Sequence, residues 1–169
     1  MKRIGVISDT HSFLDEKVFD YFEHCDEIWH AGDIGDLRVT DRLAAFRPLK
    51  AVWGNIDDHK ARIQFPETNR FLCEGMDVMI HHIAGKPYSY PANVKAMMNP
   101  KTPDILVCGH SHILRVEYDK KINMLYINPG AAGVHGFHKV KTLLRFSIHN
   151  RQLSDMEAIE IGPRARLME

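Results

Sequence analysis

The chain has no surplus of charge of either sign: among 169 residues, 22 lysines and arginines balance 22 aspartates and glutamates. It lacks the basic excess with which sequence-blind nucleic-acid binders displace counterions, so no dedicated nucleic-acid binding is expected. Cysteine is scarce as well. Cys25, Cys73 and Cys108 are far apart, form no CxxC and cannot all pair with one another, so they read as free thiols. No apolar run approaches the roughly 18 residues that a bilayer span needs. No period and no low-complexity tract recurs, so neither a membrane partner nor a solenoid is implied. The opening MKRIGVISDTH enters a strand pattern with no signal-peptide stretch, and a cytoplasmic location is the expectation.

What is present is enough apolar material, 44% of residues, to fill one core but too little for two. The spacing predicts a single domain over residues 1–161, with 162–169 as a loose tail, forming a monomer or small homo-oligomer. Its first third alternates. Residues 3–8 form a short apolar run, Leu14, Val18, Phe19 and Phe22 follow at helical spacing, and the unit repeats with a strand at 27–31, a helix at 37–46 and a strand at 49–53. Such βαβαβ order implies a parallel sheet. Residues 57–67, of mixed charge and without a clean period, read as a loop with room for a helical turn. Beyond Asn69 the connections shorten: a hairpin around Glu74-Gly75, one helix over 91–98, then five strands between 104 and 161 in mostly antiparallel order. Two sheets packed face to face with helices outside, a layered α/β sandwich, accommodate both halves.

The polar residues fall in a pattern. Each long apolar run stops at a group able to bind a metal: Val6-Ile7-Ser8 at Asp9, Trp29-His30-Ala31-Gly32 at Asp33, Val52-Trp53-Gly54 at Asn55, Val78-Met79-Ile80 at His81, and Leu106-Val107-Cys108-Gly109 at His110. His11 and His112 stand two positions beyond Asp9 and His110, which in extended backbone places each pair on one side about 7 Å apart. Ligands gather beyond the carboxyl ends of strands in α/β sheets, so donors spread over more than a hundred positions can converge there. Two carboxylates, one amide oxygen and four imidazoles exceed one tetrahedral zinc and suit two divalent cations sharing a ligand. A pair of cations about 3.5–4 Å apart clamps phosphoryl oxygens and brings the pKa of bound water to near neutrality.

In order, Asp9-Thr10-His11, Gly32-Asp33, Gly54-Asn55, His81 and Gly109-His110-Ser111-His112 resemble the DxH, GD, GN, H and GHxH blocks of the calcineurin-like metallophosphoesterases. More narrowly, the chain resembles the small single-domain phosphodiesterase branch, related in fold to the retromer subunit of that superfamily. The resemblance implies a four-layer αββα sandwich of two mixed sheets and two metal ions. One ion would be held by Asp9, His11, Asp33 and His112, the other by Asp33, Asn55, His81 and His110, with Asp33 as bridge and a bridging hydroxide attacking phosphorus in line. Manganese is preferred, with iron, cobalt, nickel and zinc as alternatives.

Two departures stand out. Where many relatives follow the asparagine with a catalytic histidine, this chain has Ile56-Asp57-Asp58, and where a glycine commonly follows the strand histidine it has His82. Asn55 and His110 would lie close to the bound phosphate, while His82, Asp57 and His11 are candidates to handle protons. Asn128-Pro129-Gly130 resembles the NPG turn of the branch, and His135 and His138 flank the glycine-rich loop that follows it. The leading expectation is a phosphodiesterase acting on a small phosphodiester or other phosphate ester. The alternatives are a phosphomonoesterase and a non-catalytic interaction module on the same fold.

Overall fold

The computed structural model describes residues 1–165. Among the described residues ten strands and four short helices follow in the order β1 (Lys2–Ile7), α1 (Lys17–Tyr21), β2 (Glu27–His30), α2 (Arg38–Phe46), β3 (Leu49–Ala51), α3 (His59–Gln64), β4 (Thr68–Cys73), β5 (Met76–His81), α4 (Ala92–Met97), β6 (Ile105–Val107), β7 (Leu114–Asp119), β8 (Met124–Pro129), β9 (Val140–His149) and β10 (Gln152–Pro163). They make two five-stranded sheets, ordered β10-β9-β1-β2-β3 and β4-β5-β6-β8-β7.

Side-chain alternation, with its period of two, builds the layers. Ile4 and Val6 of β1, Trp29 of β2, Val78 and Ile80 of β5, Ile105 and Val107 of β6, and Ile127 of β8 point inward between the sheets. Their neighbours face the other way. Ile7 and Ile28 pack under Val18, Val39 and Leu43 of α1 and α2, while Met79, Leu106 and Tyr126 pack under Val94 of α4. Two outer cores and one central core give four layers, the αββα sandwich. Trp29 ties the sheets together, its ring edge-on to Phe71 of β4 at 5.3 Å and to Phe146 of β9 at 5.7 Å.

The parallel β1-β2-β3 arrangement follows the expected alternation. The second sheet differs from it: β5 pairs parallel with β6, and β6 parallel with β8, so only its edges are antiparallel. The crossover between β5 and β6 runs through α4, and β7 takes the outer edge before β8 returns alongside β6, while the short connections of β4–β5 (around Glu74-Gly75, as expected), β7–β8 and β9–β10 are hairpins. Two further expectations are sharpened or corrected. Residues 59–64 form the helix α3, started by the Asp58 carboxylate accepting the Ala61 N–H at 3.1 Å. Gly162 and Pro163, expected in the tail, pair with Lys141 and Val140 of β9, and Arg164 Nε donates to the His138 carbonyl. Residues 166–169 of that tail lie outside the described residues. Among the described residues no helix is long and apolar enough to cross a membrane.

Candidate metal centre

The site is made entirely from loops that leave strand ends on one rim. Asp9 and His11 follow β1, Asp33 follows β2, Asn55 follows β3, His82 follows β5, and His110 and His112 follow β6. These segments are not extended. Asp9, His11, Asp33, His110 and His112 all have left-handed backbone, with φ of 53°, 44°, 54°, 69° and 60°. The strand-like, two-residue projection expected for the Asp9/His11 and His110/His112 pairs is therefore replaced by tight loops. Non-glycine residues enter this region only when the surroundings hold them there, and such residues cluster at functional sites.

Hydrogen bonds do the holding. His11 N–H donates to the Asp33 carbonyl at 3.0 Å, and Asp9 N–H to the Gly32 carbonyl at 3.0 Å. Close approach of two loops requires glycine at two points: a Cβ on Gly54 would collide with the Asp33 carboxylate and backbone nitrogen, and one on Gly109 with Ser8 Oγ and Asp9 Oδ2.

Two clusters of donors result, one from Asp9, His11 and His112 and the other from Asp33, His82 and His110. In the first, Asp9 Oδ2 accepts from Ser8 Oγ at 2.6 Å and from His110 N–H at 3.1 Å. That leaves Oδ1 3.2 Å from His112 Nε2 and 3.9 Å from His11 Nε2. Asp9 Oδ1 and His11 Nε2 are both buried without a hydrogen-bond partner. Buried polar atoms are almost always satisfied, so a lone-pair donor and a carboxylate oxygen left bare and facing one another are the pattern expected of ligands to a cation. In the second cluster, Asn55 Oδ1 lies 3.1 Å from His82 Nε2 and 3.0 Å from His110 Nδ1. Asp33 Oδ2 belongs to both, 3.4 Å from His11 Nε2 and 3.2 Å from His82 Nε2. Its other oxygen accepts from the Ile56 N–H. The donor set fits divalent cations well: hard oxygens and imidazoles, of which Asp9, Asp33 and His82 are oriented by a second hydrogen bond.

The ionisation states agree with this arrangement. Burial alone would raise the Asp33 carboxyl, but the His11 and His82 imidazoles beside it hold it well below the usual carboxylate range. Burial likewise works to lower His82, and the hydrogen bond with Asp33 and the charge of Asp9 outweigh it and raise that imidazole. A cation taking up the same lone pairs would replace those protons.

The position expected for His81 is corrected. His81 is the last residue of β5 and shares the outward parity of Met79, so its ring turns under α4, where Nδ1 lies 2.8 Å from Thr68 Oγ1 and Thr68 in turn donates to Met97 Sδ. One residue later the chain has left the strand. His82 Nδ1 donates to the Ala31 carbonyl at 2.7 Å, which leaves the Nε2 lone pair facing Asp33 and Asn55. A single-residue shift reverses the face a strand residue presents.

Asp57 is corrected as well. It is buried, and its carboxylate accepts backbone N–H bonds from Gly54 at 2.7 Å, Gly35 at 2.8 Å and Ile34 at 3.1 Å. It clamps the Asp33 loop to the Asn55 loop, its carboxylate taken up by these three backbone amides. His30 supports the same loops from below: its Nδ1 accepts the Gly32 N–H at 3.1 Å, so its Nε2–H donates to Thr10 Oγ1 at 3.0 Å, and Thr10 donates onward to the Ile34 carbonyl. Full burial pushes this imidazole down to about 4, and it stays neutral.

Ser8 and the main-chain N–H of His110, which fix the orientation of Asp9, carry no signal in the sequence beyond adjacency. Over the clusters opens a cleft of about 500 Å³ bordered by Ile56, Ile113, His135, Phe137 and His138. The His135 ring lies 4.8 Å from that of His11, and the His138 ring 5.2 Å from that of His112, so the glycine-rich loop after β8 does reach the centre.

Residues 1–151 match the family model described as the calcineurin-like phosphoesterase superfamily domain. A "Probable metallophosphoesterase" of Methanothermobacter thermautotrophicus is 32% identical over 139 residues, covering 78% of this chain and 77% of that protein. Among solved structures, a novel archaeal phosphodiesterase superposes with a TM-score of 0.75 at 18% identity, covering 94% of this chain and 99% of that one. Vps29 of Entamoeba histolytica, solved in complex with Zn2+, superposes with a TM-score of 0.70 at 18% identity, covering 94% and 98%. The chain belongs to the calcineurin-like phosphoesterase superfamily.

Proposed function

We propose that the chain is a dinuclear-metal phosphodiesterase of the cytoplasm. The observation that carries this is the facing pair of donor clusters, joined through Asp33 Oδ2, with Asp9 Oδ1 and His11 Nε2 buried and unpaired between them. Asp9 Oδ1, His11 Nε2, His112 Nε2 and Asp33 Oδ2 would hold one cation; Asp33 Oδ2, Asn55 Oδ1, His82 Nε2 and His110 Nδ1 the other. When bound, two such ions acidify water and polarise phosphoryl oxygens. The protein's own contribution is orientation. Ser8 and the His110 amide aim Asp9, Ala31 fixes the tautomer of His82, and Asp57 holds the two loops at a set distance. Phosphate meets Asn55 and His110 at the floor of the open cleft.

The preference for diesters rests on position 56, where an isoleucine stands in place of an imidazole, and on Asp57 being committed to backbone amides. Without an acid at that point, substrates whose leaving group departs unprotonated are favoured. The archaeal phosphodiesterase of the same fold is consistent with this preference. Three free, buried cysteines suit a reducing compartment. A second reading, a protein-interaction module, is favoured by the likeness to Vps29 and by the exposed stripe of Leu114, Val116 and Tyr118 on the edge strand β7.

The test is a metal assay of protein purified without chelator, joined to hydrolysis of aryl diesters and monoesters with each of manganese, iron, cobalt, nickel and zinc. Two equivalents of metal and faster diester turnover are expected, both lost in Asp33→Ala. A parent protein that binds no metal and hydrolyses neither ester would leave the interaction module.

A further inference from the structure

Next to the metal centre is a smaller hollow of about 180 Å³ that the hydrolysis step does not use. Its walls are Trp53, Ile83 and Pro91 on the apolar side and Asn55, His81 and His82 on the other, with Glu67 and Asn93 at its rim. It adjoins the main cleft at Asn55, whose side chain borders both. Trp53 is held in place: its main-chain N–H donates to the Pro66 carbonyl at 3.1 Å, and the Arg62 guanidinium lies 4.1 Å from its ring centre. Arg62 is itself anchored on the Asp57 carbonyl at 2.9 Å. Ile83, at 38% exposure, presents its side chain to this hollow instead of to a core.

Size and chemistry narrow the occupant. An apolar cavity of about 150 Å³ admits a benzene ring, so 180 Å³ next to the reacting centre accommodates one flat ring system. No lysine or arginine lines it and Glu67 does, so a second phosphate is disfavoured and a neutral group favoured. Glu67 and Asn93 at the rim offer an acceptor and a donor to the edge of a heteroaromatic ring.

We propose that this hollow is the subsite for one aromatic substituent of the diester, a nucleobase or an aryl group, whose phosphate lies over Asn55 and His110. The assignment rests on the hydrolase reading above. A substrate bearing only small alkyl groups would leave Trp53 and Ile83 uncovered.

The experiment compares two product-like inhibitors that share a phosphate and differ in the base, AMP and ribose 5-phosphate, against diester hydrolysis. Stacking of a base on an aromatic side chain makes AMP the tighter inhibitor by about tenfold. Ile83→Phe, which fills the hollow without adding a tryptophan, should bring the two together. Fluorescence supplies a readout independent of turnover. Of the two tryptophans, Trp29 is fully buried and Trp53 borders the hollow, so adenosine should quench the emission of the parent but not of Trp53→Phe. Hydrolysis with equal inhibition by AMP and ribose 5-phosphate, and no quenching by adenosine, overturns the subsite. Absence of hydrolysis with quenching by adenosine intact overturns the hydrolase reading and leaves the hollow as an aromatic-binding pocket.

Discussion

His82 and Asp33 face each other at 3.2 Å, Nε2 to Oδ2, because the carbonyl of Ala31 claims the other nitrogen of the ring. It is one of several contacts that join the two sheets at their common rim, since Asp33 leaves β2 of one and His82 leaves β5 of the other. It also separates the roles of two adjacent histidines. His82→Ala should lower affinity for the cation proposed at Asp33, Asn55 and His110 by roughly tenfold or more, whereas His81→Ala should leave metal content unchanged. Elemental analysis after dialysis, on both variants, decides between them; equal metal loss in the two would contradict the assignment.

Asp57 should matter for stability, not for proton transfer. Asp57→Ala strands three backbone amides in a buried setting, costing about 3 kcal/mol, which corresponds to a fall in Tm of about 6–12 °C for a chain of this length. Thermal melts in the presence of chelator measure this apart from any change in metal binding. A variant with an unchanged melt and lost activity would restore Asp57 as a chemical participant.

Gly54→Ala removes no donor, yet its Cβ would push into the Asp33 carboxylate and main chain. Overpacking of this kind costs about 1–3 kcal/mol, and because Asp33 serves both clusters, metal content and diester turnover should fall together. Retention of full metal content in the variant would mean the loop can yield without moving Asp33.

Stability of the metal-free protein should decline as the pH drops from neutral. His30 is lowered to about 4 from an ordinary 6.5, so between those values the unfolded chain binds the extra proton. The stabilisation is complete above pH 6.5 and lost as the pH falls to about 4, with about 3 kcal/mol at stake. His81 and His138 are lowered by burial and act in the same direction, while the raised His82 acts in the opposite one. The quantity to measure is therefore the difference in denaturant unfolding between the parent and His30→Asn at pH 7 and pH 5. The gap should narrow at the lower pH; a constant gap would mean His30 is protonated in the fold.

Added metal should stabilise the fold by mass action, by about 2.7 kcal/mol at a concentration one hundred times the Kd. A chelator titration followed by Tm, run on the parent and on Asp9→Ala, tests this: the shift should shrink in the variant.

Much of the site was legible because strand-ending donors are a sequence pattern. Asp9, Asp33, Asn55, His110 and His112 each terminate or closely follow an apolar run, and the structure brings all of them together with His11. The histidine of β5 was not fixed this way. The strand signal runs through His81, and only parity against Met79, known once the layers are known, turns that ring toward Thr68. The parallel pairing of β6 with β8 was hidden for a similar reason: β7 intervenes in the sequence but takes the outer edge. The extent of α3 was not legible beyond a helical turn, because a six-residue segment has little room for periodicity and owes its start to one capping carboxylate. Gly162 and Pro163 carry no strand propensity and are held by pairing with β9.

The left-handed loops limit what the centre can become. Aspartate, asparagine and histidine are the non-glycine side chains that best tolerate that conformation, and they are also the donors that divalent cations prefer. At Asp9, His11, Asp33, His110 and His112, replacement within this group alters the charge and hardness of a donor while the main-chain trace stays put. Valine, isoleucine or threonine there would force the trace to unwind. Cation selectivity in this scaffold is thus open to retuning by exchange among three residue types and closed to nearly all others.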